Sequence, residues 1–202
     1  GQKRTMIALV VLYALACFNS VSSTAMVMLV CLPFLLALFY CYPRIGLGVG
    51  FLFYALAALV VPFYMPLIAD VAMQSFPEFM TLASIGARLE IASAITPMVQ
   101  AHPFLGQGLE IVRMQEGLMS GYTFFPYESV LHPHNMIMQL WAELGLLGIV
   151  AHLLLLGMVV LAAFKNTDRL GFATIMAAVF MALFMLNTSF GIWQSWLMTS
   201  LT

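Results

Sequence analysis

Charge is what this sequence has least of. Only 7% of its 202 residues are Asp, Glu, Lys or Arg, while 63% are hydrophobic, against about 25% charged residues in an average soluble domain. Such a balance excludes an ordinary soluble domain and leaves an integral membrane protein. The formal net charge of -1 provides no basic field, and no run of like charges forms an interaction tail, so nucleic acid is not an expected partner. Cysteine is scarce as well: Cys17, Cys31 and Cys41 are odd in number and lie in apolar segments, which argues against a disulfide framework or a thiolate metal site. No internal repeat or low-complexity tract occurs, and no cofactor is expected. Gly1-Gln2-Lys3-Arg4 opens like a signal peptide but lacks a convincing cleavage site. The chain reads as part of a longer membrane protein.

What is present is a series of apolar stretches, over residues 5–18, 25–42, 45–65, 135–164, 170–186 and 190–202. The first and last fall short of the ~20 residues needed to cross a ~30 Å hydrocarbon core. The expected architecture is therefore an all-α membrane protein with about five to six transmembrane helices. Residues 1–65 hold the first three, 66–134 form one large extramembrane loop, and 135–202 hold the rest. Gly46, Gly48 and Gly50 would let the third helix approach a neighbour closely. Lys3, Arg4, Arg44, Lys165 and Arg169 fall on one side if the spans alternate, and cytoplasmic connections retain cations. The loop, carrying Asp70, Glu78, Glu90, Glu110, Glu116 and Glu128, is then expected on the outer, periplasmic face of a bacterial inner membrane.

Within the loop, helical spacing of Ile85, Leu89, Ala92 and Ile95 predicts a short amphipathic helix over 82–95, with Ser84 as a cap and Pro97 kinking or ending it. His102-Pro103-Phe104-Leu105-Gly106-Gln107-Gly108 reads as a turn, and 117–130 as an irregular segment at the membrane surface. The chemistry concentrates where the loop re-enters the apolar phase, at His132-Pro133-His134-Asn135. His134 stands at the boundary, and an imidazole with an ordinary pKa of ~6.5 accepts a proton at neutral pH. His132-Pro133-His134 also suggests a metal, but no second cluster of ligand residues supports one, so none is expected. Asn135, Gln139 and Glu143 form a stripe at helical spacing that enters the membrane about 12 Å deep. Glu143 either serves function or merely bonds a neighbouring helix, and Gln139 reads as structural. Arg88 and Arg113 are the loop's cations, and a guanidinium grips phosphate through paired hydrogen bonds. Arg113 is the readier of the two to pair with a loop glutamate. His102 reads as structural, and His152 as an interhelical hydrogen bonder.

Arg88 on a helix, then His102-Pro103-Phe104-Leu105-Gly106-Gln107-Gly108, then His134-Asn135, Gln139-Leu140 and Glu143-Leu144-Gly145-Leu146-Leu147-Gly148, in that order around one loop, resemble the O-antigen ligase and O-antigen polymerase superfamily. The likeness is strongest over about 84–150. It implies a GT-C-like glycosyltransferase of the bacterial inner membrane that acts on its periplasmic side without a metal. Such an enzyme moves a glycan from an undecaprenyl-pyrophosphate carrier onto a lipid A core, another glycan or a protein. It further implies that His134 is the catalytic base and that Arg88 holds the pyrophosphate. His132, Asn135, Arg113 and Glu143 are the expected substrate-binding helpers. Relatives carry about ten or more membrane helices, and many place an arginine after a serine where this chain has 19–24 without one. The second departure tilts the expectation toward an exopolysaccharide polymerase. A transporter of a lipid-linked or small polar substrate, with Glu143 and His152 as a proton path, is the competing reading.

Overall fold

The computed structural model describes residues 23–188; the expected spans 5–18 and 190–202 lie outside them. The described residues are helical, without a strand, and run α1 (Ser23–Cys41), α2 (Pro43–Ser75), α3 (Pro77–Met80), α4 (Ile85–Ala101), α5 (Ile111–Met114), α6 (Met136–Asn166) and α7 (Arg169–Thr188). Among them α1, α2, α6 and α7 are long and apolar enough to cross a membrane. The chain is an all-α integral membrane protein. α1 packs along α7, and α2 along α4.

Arg169 ties one end of this bundle together. From the start of α7 its guanidinium donates to the carbonyls of Tyr40 and Cys41 at the end of α1 and lies over the Tyr40 ring. Arg44, Lys165 and Arg169 therefore gather at one end. At the other end of α7, the Asn187 carboxamide oxygen accepts from the Ile137 N–H at the head of α6, at 3.2 Å. Eighteen helical residues separate Arg169 from Asn187, roughly 27 Å at ~1.5 Å per residue. One hydrocarbon thickness thus separates the cation-bearing end from the head of α6.

Two prolines that should end α2 do not. Pro62 and Pro66 lie inside it, and each, lacking an N–H, frees the carbonyl four residues earlier. The freed carbonyl of Ala58 accepts from Trp141 Nε1 of α6 at 2.7 Å, and that of Pro62 from Thr96 Oγ1 of α4 at 3.0 Å. Donors from two other helices replace the missing ones, so the helix expected to stop near Met65 continues to Ser75. α4 likewise runs through Pro97 to Ala101, where the sequence predicted a kink or an end. Ile91, Ile95 and Val99 are fully buried along its length, and this packing outweighs the lost bond. Ser84 precedes α4 at φ 58 and makes no side-chain cap bond; a short 3₁₀ turn, Leu82–Ser84, leads in instead.

α6 is broken. At Gly145 the backbone adopts φ 60, ψ -152, a region open essentially to glycine alone. The break strands carbonyls on one side and N–H groups on the other, and the His102–Gly108 turn fills it. Gln107 and Gly108 donate to the carbonyls of Ala142 and Glu143 at 2.9 and 3.0 Å, while Leu146 and Leu147 donate to those of Pro103 and Phe104 at 2.8 and 3.3 Å. The two segments lie so close that a Cβ on Gly145 would strike the backbone of Phe104–Gly106, and one on Gly106 that of Glu143 and Leu144. Two irregular segments complete each other's hydrogen bonding.

Candidate active site at the head of α6

The break leaves a short first leg of α6, Met136–Leu144, almost entirely buried, with its N-terminus capped from two directions. Asn135 Oδ1 accepts from Met138 N at 3.1 Å, the usual bond of an asparagine N-cap, while Asn187 holds Ile137 N. The Ile137 and Met138 donors at this terminus are thereby spent. The residue before the cap, His134, takes φ 54, a left-handed conformation in which histidine is enriched among side-chain-bearing residues. It turns the chain so that the His132 and His134 rings lie 4.1 Å apart, centre to centre, with the planes inclined by 60°. Buried Pro133 stands between them.

His132 Nδ1 is buried and has no hydrogen-bond partner. Burial, reinforced by the adjacent His134, pushes the His132 pKa down to about 4, so this imidazole stays neutral beside its neighbour. Both rings line a cleft of about 370 Å³ walled by Phe125, Tyr127, Ser129, Val130 and Leu131. An imidazole whose pKa is pushed that far down is a weak base at neutral pH, so His132 suits packing against His134 rather than taking a proton itself.

Glu90 holds the segment that supplies Phe125 to this cleft. It is 3% exposed, and its carboxylate accepts from Thr123 N and Oγ1, Phe124 N and Phe125 N at 2.8–3.0 Å. Phe124 in turn lies over Gly86, where a Cβ would meet its ring at 2.7 Å. Three consecutive N–H groups converging on one carboxylate form an anion-binding nest that the protein fills with its own side chain. Burial, with Glu90 and Asp70 near, also pushes the Tyr122 phenol up.

Arg88 lies two residues before Glu90 on α4. It is half-buried, burial lowers its pKa, and it forms no ion pair with an acidic side chain among the described residues. The carboxylate nearest in sequence is committed to backbone donors, which leaves the Arg88 charge uncompensated. Arg88 does not line the histidine cleft; Glu90, two residues on, holds the 123–125 segment, of which Phe125 does. Arg113 is paired with Glu110 at 3.6 Å on the exposed surface, as its position among loop glutamates suggested.

Glu143 is 1% exposed and accepts from Gln139 Nε2 at 2.9 Å and from Glu110 N at 3.1 Å. The stripe of Asn135, Gln139 and Glu143 exists, but its members secure the broken helix rather than meeting in the cleft. From the same leg Trp141 reaches the Ala58 carbonyl near the middle of α2, and Asn135 and Ile137 border a cavity that Met65 and Asn187 also line. His152 bonds the Tyr54 hydroxyl at 2.9 Å, an interhelical contact as expected. The structure thus brings His132, His134 and Asn135 together, holds Arg88 outside the cleft on the helix that carries Glu90, and sets Arg113 and Glu143 apart. Glu90 and Asn187 were not apparent from sequence, because a buried carboxylate serving a backbone nest has no residue spacing of its own.

No solved structure shows significant similarity to this chain. A protein of Rickettsia conorii (strain ATCC VR-613 / Malish 7) named "Putative polysaccharide ligase" is 27% identical over 178 residues, covering 77% of this chain and 43% of its own length. A protein of the same name from Rickettsia felis (strain ATCC VR-1525 / URRWXCal2) is 26% identical over 178 residues, covering 77% of this chain and 44% of its own. The chain thus spans less than half the length of these curated relatives. A model of the O-antigen ligase family matches residues 8–153, most of the chain, including Arg88, Glu90 and the His132–Asn135 segment. The broken α6, the histidine cleft and the Arg88 helix are thus the local architecture of a member of the O-antigen ligase family, to which this chain belongs.

Proposed function

We propose that this chain carries the transfer centre of a polysaccharide ligase or polymerase, with an undecaprenyl-pyrophosphate-linked glycan as donor. The acceptor would be a lipid A core or a second glycan. In this reading His134 removes the proton of the acceptor hydroxyl while its oxygen attacks the anomeric carbon. The new C–O bond forms on the face opposite the departing oxygen, the old anomeric C–O bond breaks with its electrons going to the lipid pyrophosphate, and configuration inverts. Arg88, an uncompensated cation in a partly dehydrated setting, neutralises that leaving group. His132, neutral and packed against His134, fixes the base's position.

The observation that carries the reading is the His132–His134 pair at the mouth of its cleft, one hydrocarbon thickness from the cationic end of the bundle. That separation and the cation distribution favour a periplasmic site on a bacterial inner membrane, with 66–134 as the extramembrane unit between the helices of 1–65 and 135–202. The test is glycan transfer from a synthetic undecaprenyl-pyrophosphate donor by the reconstituted protein. His134→Ala at normal expression should lose transfer by about 10²–10⁴-fold, the usual contribution of a positioned base. Arg88→Lys, which keeps charge but not the guanidinium fork, should weaken donor use. Wild-type rates in His134→Ala would remove His134 from the reaction.

A further inference from the structure

We infer that the His102–Gly108 turn is an interfacial anchor, setting Phe104 and Leu105 into the lipid leaflet that borders the candidate site. Both side chains are 70% exposed, an unusual cost for adjacent large apolar groups in water. They are held at a defined level. The Phe104 carbonyl accepts from Leu147 N, and Leu147, itself 62% exposed, begins the outward apolar stripe of α6 that continues through Leu154, Leu155, Met158 and Leu161.

From Leu147 to Lys165 is eighteen residues of helix, roughly 27 Å. α7 gives the same distance from Arg169 to Asn187 by an independent route. Phe104 and Leu105 thus extend a lipid-facing surface at its upper margin, where the hydrocarbon gives way to headgroups. The backbone fits this position too. Irregular chain can touch lipid only where its polar groups are paired within the protein, and four bonds into the α6 break pair this turn.

The occupant is phospholipid, tested by placing tryptophan at position 104. Phe104→Trp protein would be reconstituted in phosphatidylethanolamine–phosphatidylglycerol vesicles, and wild-type emission subtracted to remove the native tryptophans. The added emission should be quenched several-fold more strongly by lipids brominated near the headgroup end of the chain than by aqueous iodide. Stronger quenching by iodide would place the turn in water and overturn the inference. Indifference to both quenchers would mean that protein covers the turn, and would overturn it equally. Leu105→Trp repeats the measurement should Phe104→Trp misfold.

Discussion

Replacing Gly145 by alanine tests the interlock at the centre of this fold. Its φ 60, ψ -152 lies where a Cβ-bearing residue carries about 1–3 kcal/mol of strain. The added carbon would also fall 2.6 Å from Gly106 N and from the Phe104 carbonyl carbon. Both neighbours are backbone, so relief requires moving the turn and loosening four hydrogen bonds worth about 0.5–1.5 kcal/mol each. Gly145→Ala should therefore cost roughly 2–6 kcal/mol, strain plus about half of those bonds. Three other glycines grade the effect. Gly106→Ala meets the Glu143–Leu144 backbone across the same interlock and should cost about as much. Gly108, at φ 99 with open space around it, should show strain alone, about 1–2 kcal/mol. Gly48, helical and with nothing within 4 Å, should be neutral or gain up to ~1 kcal/mol. Thermal unfolding in detergent reads the series. If Gly145→Ala and Gly48→Ala unfold together, the turn and the break do not support each other.

Other expectations follow from the site. Glu90→Gln sets an amide NH₂ against converging N–H donors, and with charged hydrogen bonds worth about 1.5–3 kcal/mol each it should cost ~3 kcal/mol and expose 117–130 to protease; unchanged digestion would dismiss the nest. His132, held neutral down to about 4, binds its proton more readily in the unfolded chain, near ~6.5. Protonation therefore favours unfolding, and stability should be lost as pH falls through the window between those values; an NMR titration of His132 near the ordinary histidine value would refute this. Asn135→Ala and Asn187→Ala each remove one acceptor from the head of α6 and should cost about 1 kcal/mol apiece, measured by the same unfolding assay. A null effect in both would mean that the cap is not needed.

Much of the architecture was readable because hydropathy reports directly on lipid exposure. The apolar runs 25–42, 135–164 and 170–186 fall within two or three residues of the helices that form. Reading failed where one segment repairs another. Pro62, Pro66 and Pro97 are local helix breakers, and only distant partners or packing override them; nothing near Pro66 announces that Thr96 will supply its missing bond. Gly145 reads as one more small residue in a greasy helix, although it is the point where the helix opens. At the site, His132, His134 and Asn135 were legible because they are contiguous and polar at an apolar boundary. Glu143 stayed open between two readings in the sequence, because its partners, Gln139 and the Glu110 N–H, are visible only in the fold.

The borrowed donors of α2 bear on how the protein is made. Trp141 lies 83 positions after the carbonyl it satisfies, and Thr96 lies 34 positions after its own. Emerging from the ribosome in chain order, α2 enters the membrane with two carbonyls open and keeps them open until α4, and then the head of α6, have been synthesised. Its insertion is provisional until then, and its final seating is an act of late assembly. Truncation before Trp141 leaves a helix that has entered the bilayer but cannot settle in it, a natural substrate for membrane quality control.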